Sequence, residues 1–160
     1  MTIPFRQHKR YRVAIDVAKA LSYLHRDCQS RILHLDVKPE NILINENYRA
    51  LVSDFGLSKL KRRDESRNNV SEKCDVYSYG MVLLEIIGGR RNIYKISKKK
   101  FEFFPRIVVE KLRDEKLMEI VDERLVMIGG INDERVLQRM IVMALWCIRE
   151  KAKMRRYARF

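Results

Sequence analysis

The amino-acid sequence predicts a mainly α-helical domain that contains one small antiparallel β-hairpin. Apolar residues recur every three or four positions over 7–27, 71–87 and 132–148, which is the spacing of one face of a helix. Between the first two ranges, two short apolar runs flank a turn-forming segment, as expected for a hairpin. With only three prolines and six glycines in 160 residues, we expect a single helix-rich domain with few long loops.

The first half of the chain is predicted to fold as a long helix followed by the hairpin. The helix covers 7–27, with charged residues away from its apolar stripe. The hairpin strands are the apolar runs 42–44 and 50–52, because Asn45-Glu46-Asn47 between them favours a turn.

The second half is predicted to be helical, with basic loops between the helices. Ser71 is a candidate N-cap for a helix that stops at Gly88-Gly89. Phe103-Phe104-Pro105 opens a further helical segment, and Asn132 is a candidate cap for the last helix.

The chain is strongly basic, with a formal net charge of +13 at pH 7. Its basic residues cluster in 59–63, 95–100 and 149–159. Such clusters can meet the phosphates of nucleic acid, nucleotide or lipid, although runs of charge are more often solvated surface. No apolar stretch approaches the roughly 20 residues of a spanning helix, and residues 1–12 lack the apolar segment of a secretory signal. We therefore expect no transmembrane segment in this chain.

Three cysteines and two large aromatic residues are expected to have structural roles. Cys28, Cys74 and Cys147 are odd in number and widely spaced among apolar residues, which favours buried thiols over disulfides or a zinc site. Phe104 and Trp146 are expected to be core or interhelix aromatics rather than a platform for a ligand.

The segment from His34 to Asn41, His-Leu-Asp-Val-Lys-Pro-Glu-Asn, and the later Ser53-Asp54-Phe55-Gly56 carry side chains suited to phosphoryl transfer. This reaction passes through a charged, in-line transition state, so catalysis is mostly positioning and charge neutralisation. A carboxylate must receive the proton of the acceptor hydroxyl, oxygen ligands must hold magnesium, and a cation must balance the migrating phosphoryl group. Asp36, Asn41, Asp54 and Lys38 offer one group for each of these tasks.

These residues resemble the catalytic loop D-x-K-x-x-N and the magnesium-binding D-F-G of protein kinases. Residues 71–80 are similar to the start of the kinase F-helix. Residues 142–148 are similar to the H-helix of plant receptor-like kinases, notably the lectin S-receptor-like group. The chain thus resembles the C-lobe of a plant receptor-like Ser/Thr protein kinase domain. The resemblance covers residues 1–160 as a partial kinase domain, with the catalytic loop at 34–41, the D-F-G at 54–56, the F-helix at 71–88 and the H-helix at 132–149.

The resemblance implies a role for each polar residue of the two motifs. Asp36 would accept the hydroxyl proton, and Lys38 would face the phosphate and favour Ser/Thr over Tyr acceptors. Asn41 and Asp54 would bind Mg²⁺ and, with it, ATP.

Other residues are expected to support this site. The resemblance gives Asp75 the role of anchoring the catalytic-loop backbone. It makes Arg155 the arginine that pairs, in the family, with the glutamate of an Ala-Pro-Glu motif. His34 is expected to support the loop by packing and hydrogen bonding. His25-Arg26-Asp27 spells the commoner family triplet, but it lacks the following lysine and asparagine, so His25 and Asp27 are expected to be surface residues at a helix end.

The sequence departs from the family in three places. Leu35 replaces the arginine that receives the activation-loop phosphate, and leucine cannot pair with a phosphate. Only fourteen residues, 57–70, separate the D-F-G from the F-helix start, and no Ala-Pro-Glu occurs. No G-x-G-x-x-G and no Val-Ala-Ile-Lys strand precede the first helix. We therefore expect a C-lobe fragment without the N-lobe or a full activation segment, impaired in catalysis by itself.

Three functions compete at this point. The first is a Ser/Thr protein kinase that transfers the γ-phosphate of Mg-ATP to protein hydroxyls. The second is a non-catalytic, pseudokinase-like module that binds a full-length receptor-like kinase through the surface left by the missing parts. The third is a basic nucleic-acid binder, which the sequence disfavours because no aromatic-interleaved basic motif is present. The resemblance also implies a cytoplasmic location, since family members are plasma-membrane receptors with this domain on the cytosolic side.

Overall fold

Helices dominate the part of the chain that the computed structural model describes, which is residues 7–61, 71–97, 100–126 and 131–148. The α-helices there are α1 (Gln7–Ser22), α2 (Glu72–Gly88), α3 (Phe104–Arg113), α4 (Glu123–Val126) and α5 (Ile131–Cys147). The strands are β1 (Arg31–Leu33), β2 (Ile42–Ile44), β3 (Ala50–Val52), β4 (Lys59–Lys61), β5 (Ile93–Ser97) and β6 (Lys100–Phe103). They form three antiparallel pairs, β1 with β4, β2 with β3 and β5 with β6. The predicted class, mainly α with a little antiparallel β, is confirmed.

The first helix is present but widens at its end. After Ser22 the chain continues as a π-helical turn, Tyr23–Asp27, which closes with a hydrogen bond from the amide of Cys28 to the carbonyl of Tyr23 (3.1 Å). Such a turn contains one residue more than an α-helical turn and so changes which side chains face inward.

The predicted hairpin of β2 and β3 is present with its predicted bounds. Leu43 pairs with Leu51 across the two strands, and both side chains are exposed. The turn between the strands is fixed by Asn45, whose Oδ1 accepts the amides of Asn47 (3.0 Å) and Arg49 (2.9 Å). A polar side chain that satisfies turn amides in this way is the reason asparagine favours turns.

The hydrophobic core lies where α1, α2 and α5 pack together. Gly80 allows α2 to approach α5 closely, because a Cβ at this position would lie 2.6 Å from the Cβ of Cys147. Helix α2 ends as predicted, at Gly89, which adopts the left-handed conformation (φ 61°) and donates its amide to Glu85 O. Ser71 occupies the N-cap position, but its side chain makes no capping hydrogen bond. The buried core side chains include Val13, Val17, Leu21, Leu83, Leu84, Ile87, Phe104, Val108, Leu137, Ile141 and Ala144.

Two strand pairs were not predicted. The stretch between α2 and α3 was predicted to be a basic loop, and the pairing of β5 with β6 shows that this prediction is wrong. The strands β1 and β4 also form a pair, although 25 residues separate Leu33 from Lys59 in the sequence. Pairing over such a distance leaves no local signal in the sequence.

Some expectations about individual side chains are also wrong. Trp146 is 55% exposed, whereas Phe104 is buried as predicted. Ala144 on the same helix and Ile148 directly after its end are buried, and a residue midway between two such positions lies on the opposite side. The cysteines are not buried thiols, because Cys74 is exposed and the other two are only half-buried.

Among the described helices, none has both the length and the apolar character needed to cross a bilayer.

Candidate active site

The segment from His34 to Asn41 connects β1 to β2 and contains a strained residue. Leu35 has a positive φ of 65°, a left-handed conformation that costs a non-glycine residue roughly 1–2 kcal/mol. A short 3-10 turn, Pro39–Asn41, ends the segment. The strain at Leu35 requires that other parts of the fold hold this backbone in place.

Asp75 on α2 holds the strained backbone. Its carboxylate is completely buried, and it accepts the amide of His34 at Oδ2 (2.8 Å) and the amide of Leu35 at Oδ1 (2.7 Å). Burial by itself raises the pKa of Asp75, but the hydrogen bonds from His25 and from these two amides outweigh burial, so the pKa is lowered. Asp75 is therefore a buried carboxylate that fixes two successive amides of the loop.

His25 is part of this network, so the prediction that it is a surface residue is wrong. Its side chain is 9% exposed, and its Nε2 lies 2.8 Å from Oδ2 of Asp75. Asp27, in contrast, is exposed as predicted. The partner of His25 lies 50 residues further along the chain, so the local helical sequence could not reveal this contact.

Asp36, Lys38 and Asn41 form one hydrogen-bonded cluster. Lys38 Nζ donates to Asp36 Oδ2 (2.7 Å), and Asn41 Nδ2 donates to the same oxygen (2.9 Å) and to the carbonyl of Asp36 (2.8 Å). The hydrogen bond from Lys38 is the main reason that the pKa of Asp36 is lowered, and the same bond raises the pKa of Lys38. At neutral pH the cluster is thus a carboxylate next to an ammonium group.

The strand β3 returns the chain to this cluster. The amide and the hydroxyl of Ser53 both donate to the carbonyl of Asn41, at 2.9 and 3.0 Å. His34 Nε2 donates to the carbonyl of Ser53 (3.0 Å), while its Nδ1 accepts the amide of Asp36 (3.3 Å). This pair of contacts corresponds to a neutral imidazole with the proton on Nε2. The His34 ring also lies 4.9 Å from the ring of Phe55, so His34 packs and hydrogen-bonds in the loop as expected.

Because β3 returns the chain to the loop, Asp54 lies beside the cluster of Asp36, Lys38 and Asn41. It is exposed and has a positive φ of 64°, and its Oδ1 accepts the amide of Gly56 (3.3 Å). Its negative charge contributes to raising the pKa of Lys38, which places Asp54 within electrostatic reach of that ammonium group. The four side chains selected from the sequence therefore share one region of the surface.

The donor atoms of this region are suited to magnesium. Both hydrogen bonds donated by the Asn41 amide go to Asp36, so the amide oxygen Oδ1 is the atom that can face a cation. Together with the exposed carboxylate of Asp54, it offers hard oxygen ligands. In the described ranges no group of three or more His, Cys, Asp or Glu residues could hold a metal. Magnesium sites in proteins usually combine one or two carboxylates with waters and substrate phosphates.

Two sequence predictions fall outside the described residues. Arg155 lies beyond residue 148, so the structural role expected for it falls outside the described residues. The predicted shortening of the segment 57–70 concerns mainly residues 62–70, which are also not described.

Sequence reasoning missed an ion pair next to the cluster. Arg91, which follows α2, pairs with Glu40 of the loop (Nη2 to Oε1, 2.5 Å) and lies 3.8 Å from Glu85. The partners are separated by 51 positions, and arginines are common in this sequence. No local signal could have identified the pair.

Comparisons with known proteins give one consistent family. The family profile described as the protein kinase domain matches residues 2–123. A probable receptor-like protein kinase of Arabidopsis thaliana is 56% identical over 171 residues, covering 92% of this chain. Two G-type lectin S-receptor-like serine/threonine-protein kinases of the same plant are 44% and 39% identical, and each match covers 91% of the chain. The matched regions span only 38% of the first relative and 20% and 21% of the other two.

Proposed function

The chain belongs to the protein kinase family, and from this premise we propose that it carries the catalytic loop and metal-binding motif of a Ser/Thr kinase. The reaction is transfer of the γ-phosphate of ATP to a Ser or Thr hydroxyl of a protein substrate. The observation that supports this most is the cluster of Asp36, Lys38 and Asn41 with Asp54 beside it. The similarity to receptor-like Ser/Thr kinases supports the acceptor class.

Asp36 orients the acceptor hydroxyl and takes its proton. Its lowered pKa keeps it ionised at neutral pH, so it accepts a hydrogen bond from the incoming hydroxyl. A carboxylate with a low pKa is a weak base, which suits a loose transition state in which the proton leaves late. Asn41, by donating to the same carboxylate, limits the rotation of Asp36.

Lys38 supplies the positive charge for the migrating phosphoryl group. Its ammonium already lies 2.7 Å from Asp36, so it sits beside the place where the hydroxyl and the phosphate would meet. The raised pKa of Lys38 keeps it protonated. A fixed charge at this position costs no reorganisation during the reaction.

Asn41 and Asp54 would hold Mg²⁺ against the ATP phosphates. When bound, the ion neutralises charge on the phosphates and aligns them with the acceptor. Asp75 keeps these ligands in register through the amides of His34 and Leu35. We assign the catalytic loop to 34–41, the D-F-G to 54–56, the F-helix to 71–88 and the H-helix to 132–149 of a partial kinase domain, with Arg155 as a structural residue.

The chain by itself is a weak catalyst in this proposal. Lys38 is 46% exposed, and Asp54 is also exposed. In contact with water, charges interact about fourfold or more weakly than they do in a closed site. The domain works on the cytoplasmic side of the membrane, where protein substrates and ATP meet.

Thermal unfolding with Mg-ATP tests the binding half of the proposal. At nucleotide concentrations about tenfold above Kd, binding stabilises by about 1.4 kcal/mol, which corresponds to a rise in Tm of about 4 °C. Asp54→Asn is expected to abolish this rise, and the matched control Asp27→Asn is expected to keep it. If wild type shows no rise with Mg-ATP, nucleotide binding by this chain is wrong.

Phosphoryl transfer is measured in a separate assay, with ATP radiolabelled at the γ-phosphate and casein as the acceptor protein. Asp36→Asn is expected to keep the Mg-ATP shift in Tm and to remove the incorporation of label. An Asp36→Asn variant that phosphorylates casein at the wild-type rate contradicts the role of Asp36.

An exposed apolar surface favours a second function, a non-catalytic module that binds a full-length receptor-like kinase. Leu43 and Leu51 form a cross-strand pair that is 54% and 60% exposed. Phe55 and Leu57, which follow β3 in the sequence, are 45% and 62% exposed. Apolar side chains concentrated in one region typically mark a contact surface.

Binding to the purified kinase domain of a receptor-like relative tests this second function. Leu43→Ser with Leu51→Ser is expected to lower binding at least tenfold, and the control Val142→Ser on α5 is expected to leave it unchanged. Equal binding by both variants, or no binding by wild type, contradicts the module.

A further inference from the structure

A cavity of about 510 Å³ is lined by residues of α1, α2 and α5, and we call it the α1–α5 cavity. Helix α1 contributes Tyr11, Ala18 and Lys19 to its lining, and α5 contributes Arg139 and Met143. This volume is within the usual range of sites that bind small molecules. The residues that line it are distinct from the hydrogen-bonded cluster at the candidate active site.

The walls of the α1–α5 cavity are mainly apolar, and small residues on α1 create its space. Ala14 and Ala18 both line it, and a methyl side chain leaves open the volume that a longer side chain would fill. Met140 and Met143 line it from α5, and residues three positions apart share one face of a helix. Met143 is 56% exposed, so the apolar wall is accessible from solvent.

Tyr79 of α2 adds apolar surface to the cavity rather than a free polar group. Its hydroxyl donates to the carbonyl of Ala14 (3.0 Å). Burial raises the pKa of Tyr79, so the hydroxyl stays protonated and keeps this bond. Leu83, one turn further along α2, also lines the cavity and is buried. The wall from α2 is therefore a tyrosine ring and a leucine held against α1.

The charged groups of the α1–α5 cavity are positive. Lys19, in the last turn of α1, and Arg139 of α5 line it, whereas no aspartate or glutamate is among the described residues that do so. Both cations are exposed, and within the described part of the chain neither side chain has an ion pair or a hydrogen bond. Ser22, three residues after Lys19, adds a hydroxyl. An apolar cavity with unpaired cations is complementary to an anionic amphiphile.

We propose that the α1–α5 cavity binds a long-chain carboxylate, with its apolar chain against the alanines and methionines and its carboxylate on Lys19 and Arg139. The lining of α1 extends from Tyr11 to Ser22, which is about 16 Å at the helical rise of 1.5 Å per residue. That length suits an extended chain better than a compact ligand. The proposal goes beyond phosphoryl transfer and does not require it.

Occupants that are themselves basic fit the cavity less well. A second copy of this chain would bring a net charge of +13, including the same lysine and arginine, to the interface. Like charges placed opposite each other disfavour association. The run 149–159 of the sequence is strongly basic as well, so charge also disfavours this segment as the occupant.

Isothermal titration calorimetry with laurate, below the concentration at which it forms micelles, tests binding by the full chain. Wild type is expected to bind laurate saturably. Dodecyltrimethylammonium, which has a similar chain and a cationic head, is expected to bind at least about tenfold more weakly. Butyrate, which has the carboxylate but little chain, is expected to show no binding. The absence of laurate binding, or equal affinity for the two amphiphiles, overturns the inference.

Substitutions separate this cavity from other surfaces of the chain. Met143→Ser is expected to lower the affinity for laurate about fivefold, whereas the adjacent Val142→Ser, at a residue that is 44% exposed and outside the lining, is expected to leave it unchanged. Lys19→Gln is expected to lower it about two- to fivefold, with Lys73→Gln on α2 as control. Because all four side chains are exposed, Tm is expected to stay the same. Equal affinities of Met143→Ser and Val142→Ser contradict the proposal.

NMR of the methionine methyl groups locates the ligand independently of any substitution. Met140 and Met143 line the cavity, whereas Met118 does not. Laurate is expected to shift the methyl signals of the first two and to leave that of Met118 in place. Shifts at Met118 without shifts at Met140 and Met143 place the ligand elsewhere and overturn the inference. A dimer in sedimentation that Met143→Ser dissociates and laurate leaves intact would identify a second copy as the occupant and also overturn it. Failure of Mg-ATP binding would leave these results untouched.

Discussion

Replacing Asp75 by Asn is expected to destabilise the chain more than any change at an exposed acid. Asp75 is completely buried, and its two carboxylate oxygens accept the amides of His34 and Leu35. Asparagine has almost the same shape but a single acceptor oxygen, so its NH₂ group would face one of the two amide hydrogens. The change therefore removes one charge-assisted hydrogen bond and leaves a buried amide without an acceptor.

The magnitude follows from these two losses. A hydrogen bond to a charged group contributes about 1.5–3 kcal/mol, and an unsatisfied buried amide costs about 1–3 kcal/mol. The sum is about 2.5–6 kcal/mol, before any relaxation of the left-handed conformation of Leu35. For a domain of this size the loss corresponds to a fall in Tm of about 10 °C.

The pH dependence of stability is also expected to reflect the stabilising role of the Asp75 carboxylate. The pKa of Asp75 is lower in the folded state than its ordinary value of 3.8. A carboxyl group whose pKa is lower in the folded state than in the unfolded state stabilises the fold at pH values above its unfolded-state pKa. This stabilisation is lost as the pH falls through its folded-state pKa. Asp75→Asn should therefore flatten the decline in stability below about pH 4.

Urea unfolding followed by circular dichroism measures both effects. Asp27→Asn, which removes an exposed acid, serves as control and is expected to change stability by less than about 0.5 kcal/mol. His25→Gln combined with Asp75→Asn should give less than the sum of the single effects, because the side chains are in contact. An Asp75→Asn variant within 1 kcal/mol of wild type would refute the anchoring argument.

Three further changes probe other parts of the fold. Gly80→Ala is expected to lower the free energy of unfolding, measured in urea, by about 1–3 kcal/mol, because the added Cβ would lie 2.6 Å from a side-chain carbon of α5. An unchanged free energy of unfolding would contradict the close packing of α2 on α5. Burial raises the pKa of Asp122, but hydrogen bonds that include one from buried Arg10 outweigh it and lower the pKa to about 2. Stability should therefore fall by about 2 kcal/mol between pH 5 and pH 2, and Asp122→Asn should remove this component from acid titrations of Tm. Lys38→Met is expected to raise the pKa of Asp36, because the hydrogen bond from Lys38 is the main reason that this pKa is lowered. NMR chemical shifts of the Asp36 carboxyl group, followed against pH, measure the change. An unchanged titration of Asp36 would contradict its pairing with Lys38.

The sequence predicted the elements whose signals are local. The hairpin of β2 and β3 follows from two short apolar runs on either side of Asn45-Glu46-Asn47, and α2 stops at a glycine that can adopt positive φ. These signals depend on neighbours within a few residues, so they are readable without knowledge of the fold. The cluster of Asp36, Lys38 and Asn41 belongs to the same category, because its members are at most five residues apart.

What the sequence could not supply are contacts between distant segments. Asp54 lies beside the loop because β3 pairs with β2 and Ser53 donates to the carbonyl of Asn41. The contact of His25 with Asp75 and the pairing of β1 with β4 had no such local signal. Each depends on how α1, α2 and the strands pack against one another.

By itself, then, the sequence determined the family, the mainly helical class and the identity of the four polar residues at the candidate site, because short-range spacing and side-chain chemistry carry that information. Only the tertiary structure decided that His25 is buried against Asp75, that Trp146 faces outward, and that 93–103 forms a hairpin with an exposed apolar face. Burial and pairing depend on which segments become neighbours after folding, and that depends on the packing of the whole chain rather than on any one stretch of it.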